Sequence, residues 1–439
     1  MRRLMLGLLA VAALSALALP VWGGREAQRE FAEIQAWLRG SLPASAAIET
    51  RFERGWLCSR AETRIGAAWG EARLRHTIFH GPLPLGGIRQ GVALWPPMRA
   101  VVISDWSPDA HADAGDAPWL RVHTRLALNG AVQMVVESPA RGQGDALVWE
   151  GLQGGLVASE DGEILGALNG PHFALRSPAG WIEMRDFALA MELRTAEGGA
   201  RVGTHAFSVG SLRGAGPAGA FALDALRWEQ RTRSDDSDAS YAVEWNAGFD
   251  GFTLGDDRTG PGALRLLLRR IDRDALDASL TALRETGEPD PEALVRLLKR
   301  SPEIVLERLQ LAGPHGTLRA EGRAGINGND PALAMGWLLA PMALEAHLDV
   351  RVSTRWLHRA LDDAVRASLV DAQLMSDSER VVQAAALRTD WLRQALERGW
   401  LVREDADYRL QIELREADLL LNGRPLDAEA FEAVQRLRS

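Results

Sequence analysis

The sequence predicts an α+β fold that is mostly β, with an N-terminal transmembrane helix, a long antiparallel curved sheet, and helices covering strands in the C-terminal part. Two observations predict this fold. Between residues 44 and 271, short runs of alternating apolar residues are separated by glycine pairs and polar clusters, which is typical of an antiparallel meander. After residue 271, apolar residues also recur at helical spacing between further strands. With 25% charged and 46% hydrophobic residues, the composition is that of a globular protein.

We therefore divide the chain into four regions. We expect a signal anchor at 1–23, a membrane-proximal helix at 24–43, a β-rich region at 44–271 and a mixed helix and strand region at 272–439.

The first region is dominated by residues 4–22, which carry no charge and follow Arg2 and Arg3. A helix of this length rises about 28 Å, close to the hydrocarbon thickness of a bilayer. The two arginines favour a cytoplasmic N-terminus, so the rest of the chain is exported. Ala16-Leu17-Ala18 has the small-x-small pattern of a cleavage site, so a cleaved signal peptide is the alternative to a retained anchor.

The second region has one apolar face at helical spacing, formed by Phe31, Ile34, Trp37 and Leu38. Gly40 and Pro43 end the pattern. This helix is expected to hold the body near the membrane, although a plain packing helix explains the pattern equally well.

The β-rich region is clearest where apolar residues alternate at 187–193, 241–245 and 264–268. Two helices are predicted next. Asp272 or Asp274 is expected to cap the first, and Asp290-Pro291-Glu292 is expected to begin the second. Of two later helices, the first is expected to begin at Ser353-Thr354 and the second to end at Gly399. Further signals predict a strand at 344–352, a late strand at 410–414, a tight turn at 422–423 and a short helix after residue 427.

Charge and cysteine content exclude several classes of function. The formal charge is -9, which makes the chain a poor nucleic-acid binder. Cys58 is the single cysteine, so no disulfide can form within the chain. As a thiol nucleophile Cys58 would need a nearby base, and a small half-buried strand residue is the favoured interpretation.

No motif predicts a catalytic, cofactor or metal site. His76 and His80 have metal-ligand spacing for a helix, but the residues between them favour a strand, in which they would lie about 13 Å apart. We therefore expect structural histidines. The acidic runs at 235–238 and 256–257 lack the spacing of a calcium loop, which favours solvated turns. Walker, Gly-x-Ser-x-Gly and HExxH motifs are absent.

Tryptophans recur through the β-rich region. Aromatic side chains often line ligand grooves, but core filling of a large β structure explains them as well, and we expect core filling. The residues are Trp56, Trp69, Trp95, Trp106, Trp119, Trp149, Trp181, Trp228 and Trp245.

The sequence at 51–87 resembles the opening of the bacterial YdgA-like family of unknown function. That family has an N-terminal hydrophobic helix, a strand with a Gly-aromatic-x-x-Ser pattern, and a second strand that runs into a His-Gly-Pro turn. The matching positions here are Gly55, Trp56, Ser59, His80, Gly81 and Pro82. Segments at 260–280, 301–328 and 419–427 resemble later parts of the family in the same order.

The resemblance implies a single-pass protein of the bacterial inner membrane, with the bulk of the chain in the periplasm and no assigned activity or cofactor. We expect an envelope protein with a structural or interaction role, not an enzyme. The N-terminal helix would bind the inner membrane. A second copy of the chain, another envelope protein or phospholipid would be a further partner. One alternative, by analogy of fold, is a lipid-handling groove like that of AsmA-like proteins. A second alternative is an unrecognised hydrolase.

Overall fold

The fold is described from a computed structural model of the 439-residue chain. The structure describes residues 47–426, with gaps at 68–69, 109–117, 144–146, 197–200, 217–218, 236–238, 256, 289, 336, 369–376 and 416–417, and in addition residues 28 and 32. The chain divides into an N-terminal unit, Met1–Ser177 with Glu183–Arg194, and a C-terminal unit, Pro178–Ile182 with Thr195–Ser439.

Three predictions of the sequence fall outside the described residues. The signal anchor at 1–23 and the short helix after residue 427 are not described, and of the helix at 24–43 only residues 28 and 32 are described, both helical. No helix in the described part of the chain is long and apolar enough to cross a membrane.

The N-terminal unit is an antiparallel open sheet. Its neighbouring strands pair in the order β1–β2–β3–β4–β5–β6–β9–β10, and β8 pairs with both β7 and β10. The strands are β1 (Ala47–Glu53), β2 (Cys58–Ala67), β3 (Gly70–His80), β4 (Met98–Pro108), β5 (Leu120–Ala127), β6 (Val132–Ser138), β7 (Arg141–Gln143), β8 (Leu147–Trp149), β9 (Leu152–Ala158) and β10 (Ile164–Ser177). A 3-10 helix, Leu85–Gln90, lies between β3 and β4.

Among the described strands, β1 lies at the edge of this sheet and pairs with β2. Glu49, Arg51 and Glu53 are exposed along it, and Arg51 and Glu53 form an ion pair of 2.9 Å. The first buried apolar cluster lies further in, at the β2, β3 and β4 end of the sheet, where Phe79, Met98, Val101 and Ile103 pack together.

Strand β11 (Gly180–Thr195) contributes residues to both units, and the described strands of the C-terminal unit belong to the same 24-stranded antiparallel sheet. The strands of this unit pair in the order β12–β13–β14–β17–β18–β19–β20–β22–β23–β24. The strands are β12 (Arg201–Gly216), β13 (Gly219–Asp235), β14 (Ser240–Phe249), β15 (Gly251–Leu254), β16 (Asp257–Thr259), β17 (Gly262–Asp272), β18 (Glu303–Gly313), β19 (Gly316–Ile326), β20 (Leu344–Ser353), β21 (Val402–Glu404), β22 (Asp407–Arg415), β23 (Asp418–Leu421) and β24 (Arg424–Pro425).

The prediction of a mostly β, long antiparallel structure is confirmed for the described residues. Each alternating run lies on a strand: 187–193 on β11, 241–245 on β14 and 264–268 on β17. The predicted turn at Asn422-Gly423 joins β23 to β24, and both residues have the positive φ that a two-residue hairpin turn requires.

Four described helices belong to the C-terminal unit: α1 (Arg273–Thr286), α2 (Pro291–Lys299), α3 (Thr354–Ser368) and α4 (Asp377–Glu397). Short 3-10 helices occupy Pro331–Met335 and Trp337–Ala343. The carboxylate of Asp272 accepts a hydrogen bond from the Ala275 amide at 2.8 Å, so Asp272 caps α1 as predicted. Asp290 caps α2 in the same way, accepting from the Glu292 amide at 3.0 Å.

One face of the C-terminal sheet is charged and cross-linked by ion pairs. Arg265 joins Glu244 and Glu307, each at 3.0 Å. Asp349 is buried on this face and accepts hydrogen bonds from the Arg409 guanidinium and the Gln411 amide. Burial alone raises the pKa of Asp349, but Arg409 and Gln411 outweigh it and hold the pKa below its ordinary value.

The lowered pKa of Asp349 predicts an acid-sensitive contribution to stability. Because the charged form is favoured in the folded state, the contribution is present above the unfolded pKa of about 4 and is lost as the pH falls through the lower folded pKa. We expect the wild-type chain to exceed Asp349→Asn in unfolding free energy at neutral pH, with a gap that narrows below about pH 4. Urea unfolding across this pH range measures it.

The matched control is Glu160→Gln, which removes an exposed carboxylate. Its difference from wild type should stay small at every pH. An equally flat difference for Asp349→Asn would contradict the assignment.

Candidate functional site

The residues of the sequence resemblance meet in a buried polar contact in the N-terminal unit. Ser59 on β2 and His80 at the end of β3 have exposed fractions of 0% and 2%. The Ser59 Oγ lies 3.0 Å from His80 Nε2, and His80 Nδ1 lies 3.1 Å from the carbonyl oxygen of Trp56. A carbonyl can only accept, so in the neutral ring Nδ1 carries the proton and Nε2 accepts from the Ser59 hydroxyl.

This contact has the polarity of a nucleophile and its base, but it is closed to substrate. A serine nucleophile must reach an external carbonyl or phosphorus atom, and Ser59 has no exposed surface. The pair therefore satisfies two buried polar groups and joins the start of β2 to the end of β3. The geometry gives it a structural role.

Two glycines of the same motif allow the backbone to pass closely. A Cβ built on Gly81 would lie 1.7 Å from the Met98 carbonyl oxygen, and one on Gly55 would lie 2.2 Å from the Cys58 carbonyl oxygen. The Gly81 amide donates to the Arg99 carbonyl at 2.9 Å, and the Met98 amide donates to the Pro82 carbonyl at 2.9 Å. Side chains at either glycine would separate these segments.

The other predicted candidates lie apart from one another. His76 is on β3, as predicted, and its Nδ1 lies 2.8 Å from the Ser104 Oγ, while burial lowers its pKa. Cys58 is half-buried beside the Phe79 cluster. No group of three or more His, Cys, Asp or Glu side chains suited to a metal ion occurs among the described residues. Residues 236–238 and 256 of the acidic runs lie outside them.

The tryptophans do not fill a core. Of the nine that sequence analysis named, Trp69 lies outside the described residues, and the other eight are half-buried or exposed. Trp56, Trp95 and Trp181 are exposed, and Trp106 packs edge-on against Trp119. The structure therefore favours surface positions over core filling.

The second face of the C-terminal sheet is apolar, and this face is the main candidate for binding. Directly opposite residues of antiparallel strands point to the same side, so the pairing registers align the side chains into a row. We call this row, together with the neighbouring pair on β12 and β13, the apolar band. It consists of Phe207, Trp228, Trp245, Leu266, Leu306, Leu348 and Ile412.

Helices cover the apolar face on either side of the apolar band. Leu276 of α1 and Leu297 of α2 pack on a cluster that contains Tyr241 and Ile271. Trp356 and Leu392, from α3 and α4, pack on a cluster that contains Val352 and Tyr408.

Between these clusters every member of the apolar band is half-buried and none is buried. Sequence alternation predicted an apolar face, but only the register shows that Trp245, Leu266, Leu306, Leu348 and Ile412 align, with Gly322 of β19 between Leu306 and Leu348. The Phe207–Trp228 pair is offset by two residues, because Gln230 lies opposite Trp245.

A polar cleft of about 510 Å³ lies on the charged side of the same sheet. Three carboxylates line it, and each has a partner: Glu303 pairs with Arg270 at 3.4 Å, Glu413 with His347 at 3.5 Å, and Glu345 accepts from Asn327 at 3.3 Å. Paired carboxylates of this kind stabilise a solvated sheet face as readily as they serve a reaction.

The buried contact in the N-terminal unit predicts a specific loss of stability. Ser59→Ala removes the hydroxyl and leaves His80 Nε2 without that donor, so we expect a loss of about 1–3 kcal/mol in unfolding free energy. The control is Ser104→Ala, which removes the bond to His76 at a half-buried position where water can replace it. Equal losses in urea unfolding would contradict the special role of Ser59.

Comparison with known proteins identifies a family without an assigned activity. The model described as a bacterial protein of unknown function (DUF945) matches residues 1–429. No curated protein and no solved structure matches the chain. The match includes the strands of both units, the buried Ser59–His80 contact and the apolar band. The chain therefore belongs to this bacterial family of proteins of unknown function.

Proposed function

We propose that this chain is a membrane-tethered envelope protein that binds the acyl chains of phospholipid on the apolar band of its C-terminal unit. The observation that carries the proposal is the half-buried state of all seven side chains of the band. Apolar side chains that are only half-buried are stabilised by an apolar ligand, because each further Å² of apolar surface that is buried contributes about 25 cal/mol.

The dimensions and chemistry of the band suit a chain-like ligand. It extends from β12 to β22 across eight neighbouring strands, which is about 34 Å at 4.8 Å per strand spacing. That length exceeds one extended acyl chain. Its members are leucine, isoleucine, phenylalanine and tryptophan, which offer contact area without a charge to desolvate. The charges of this sheet lie on its other face.

A tether at the inner membrane supports the same proposal, since it would place the apolar band near a source of phospholipid. The sequence at residues 4–22 and the YdgA-like resemblance support a retained anchor with the body in the periplasm. The structural or interaction role expected from sequence is then a binding role, in which a second copy or an envelope protein competes for the same face.

We propose a binding protein and not an enzyme. The Ser59–His80 contact is closed to substrate, and the carboxylates of the polar cleft are each paired. A hydrolase would use that cleft, where His347, Glu345 and Glu413 come together. Loss of a hydrolytic activity in Glu413→Gln would favour this alternative.

Photo-crosslinking tests the lipid proposal. The full chain in membranes is supplied with a phospholipid that carries a diazirine in one acyl chain, and adducts are mapped by mass spectrometry. We expect adducts on β14, β17, β18 and β20. Leu266→Arg should lower their yield about tenfold or more, because a guanidinium on an apolar face is costly to desolvate.

The matched control is Leu267→Arg, one position along β17, where the side chain lies opposite Glu244 on the charged face. It should leave the yield unchanged. Equal yields in the two variants would contradict lipid binding on the band. If the band forms crosslinks between two copies of the chain and no lipid adducts, the apolar face serves self-association.

The tether makes a separate prediction. A retained anchor keeps residues 4–22 in the mature protein and leaves the chain in the membrane fraction after a carbonate wash. Intact-mass measurement of the protein from cells checks this expectation. A mature N-terminus just after Ala18 would replace the anchor with a cleaved signal peptide.

A further inference from the structure

A second exposed apolar surface lies at one end of the N-terminal unit. It consists of Trp56, Leu83, Leu85, Ile88 and Trp95, with exposed fractions of 52%, 45%, 48%, 54% and 78%. We call these five side chains the loop surface. They precede β2 or lie in the connection between β3 and β4, which sequence analysis did not single out.

The strand directions bring these residues to the same end of the sheet. Strand β3 ends at His80, and the paired strands β2 and β4 begin at Cys58 and Met98. In the described part of this unit nine large apolar side chains are exposed, and five of them form the loop surface. Leu128 lies at the same end, whereas Val157 and Leu165 lie beside the acidic turn between β9 and β10. Scattered single apolar residues are ordinary, but this concentration at one end marks an interaction surface.

The connection that carries the loop surface is built as an ordered support. Pro84 and Gly87 are buried beneath it, and Gly86 approaches Leu57 so closely that a Cβ would lie 3.2 Å from the Leu57 carbonyl oxygen. The Gly87 amide donates to the Pro84 carbonyl at 2.9 Å, and the Val92 amide donates to the Gly87 carbonyl at 3.1 Å. The apolar side chains are therefore presented outward by a fixed backbone.

Three arginines and one carboxylate, Glu53, lie around the loop surface, so its net charge is positive, and Glu53 pairs with Arg51. Arg89 is the one charged residue between positions 81 and 97. Arg54 and Arg60, on either side of Trp56 in sequence, are exposed, and the described residues give none of these three arginines an ion pair. The acidic turn between β9 and β10 lies at the same end, but β9 is three strand spacings from β4, about 14 Å.

We propose that the loop surface inserts into the interface of an anionic lipid bilayer. Tryptophan and leucine side chains beside arginines match the boundary between acyl chains and phosphate headgroups, where aromatic rings and basic residues are both favoured. An apolar cluster inserts between headgroups, while Arg54 and Arg89 attract the anionic phosphates. The opposite charge of this surface and of such a bilayer selects the bilayer over a neutral apolar partner.

The connection to the predicted anchor allows this contact. Strand β1 begins at Ala47, at the end of the sheet opposite to the loop surface, since Ala47 pairs with Gly66 and Glu53 with Arg60. The segment 23–46 has 24 residues. With the predicted helix at 24–43 rising about 30 Å and the other four residues adding about 14 Å, the segment spans about 44 Å, more than the length of these strands, so one bilayer can hold both the anchor and the loop surface.

A fluorescent label tests the proposal on the full chain. In a Cys58→Ser background, Ile88→Cys carries an environment-sensitive nitrobenzoxadiazole group, and the protein is reconstituted in vesicles of three parts phosphatidylcholine to one part phosphatidylglycerol. We expect a blue-shifted emission that is quenched by doxyl groups on the lipid. The matched control is Gln153→Cys, exposed on β9 near the opposite end of the sheet, which should stay water-exposed and unquenched.

The arginines provide the second arm of the test. Replacing Arg54 and Arg89 by alanine should lower the ratio of inserted to free loop about fivefold for each arginine, and pure phosphatidylcholine vesicles should have a similar effect. A label at position 88 that stays water-exposed on the anionic vesicles would overturn the proposal. Shielding that depends on protein concentration, or that requires added envelope proteins, would overturn it in favour of a protein partner. Leu266→Arg should leave the quenching unchanged, so this test is independent of lipid binding on the apolar band.

Discussion

The alternation of side chains between the two faces of an antiparallel strand is the constraint on which this structure depends. Neighbouring strands keep directly opposite residues on the same side, so a period of two in the sequence becomes an apolar face and a charged face across the whole C-terminal sheet. The charges on the charged face pair with one another across neighbouring strands, as Arg265 does with Glu244 and Glu307. The apolar face requires a cover, and among the described residues the helices pack over the Tyr241 and Val352 clusters. The apolar band is the remainder.

Local signals predicted most of the fold, because they act over a few residues. Asp272 and Asp290 cap their helices, and Asn422-Gly423 forms its hairpin turn. Those signals do not specify which strands pair or in what register, since pairing joins residues far apart in the chain. The sequence therefore predicted apolar strands but not the apolar band. The preference for tryptophans as core residues was wrong for a related reason: an open sheet leaves even large side chains half-buried.

The two ends of the N-terminal unit differ in a way that local patterns do not reveal. Ser59 and His80 were recognised in the resemblance, yet their contact depends on the register of β2 with β3. That buried contact lies beneath the loop surface and connects the same segments, since His80 also bonds to the Trp56 carbonyl. The Ser59–His80 contact therefore supports the connection between β3 and β4. A polar pair that resembles catalytic machinery here positions apolar side chains.

Edge strand β1 limits how copies of this protein can associate. An open sheet edge offers unpaired backbone groups to any other strand, and charged side chains along the edge oppose such addition. Glu49, Arg51 and Glu53 place alternating charges on this edge, and the pair between Arg51 and Glu53 would have to be rearranged before another strand could approach. Growth of the sheet from molecule to molecule through β1 is thus disfavoured. Contacts between copies that use the faces of the sheet require no such rearrangement of the edge.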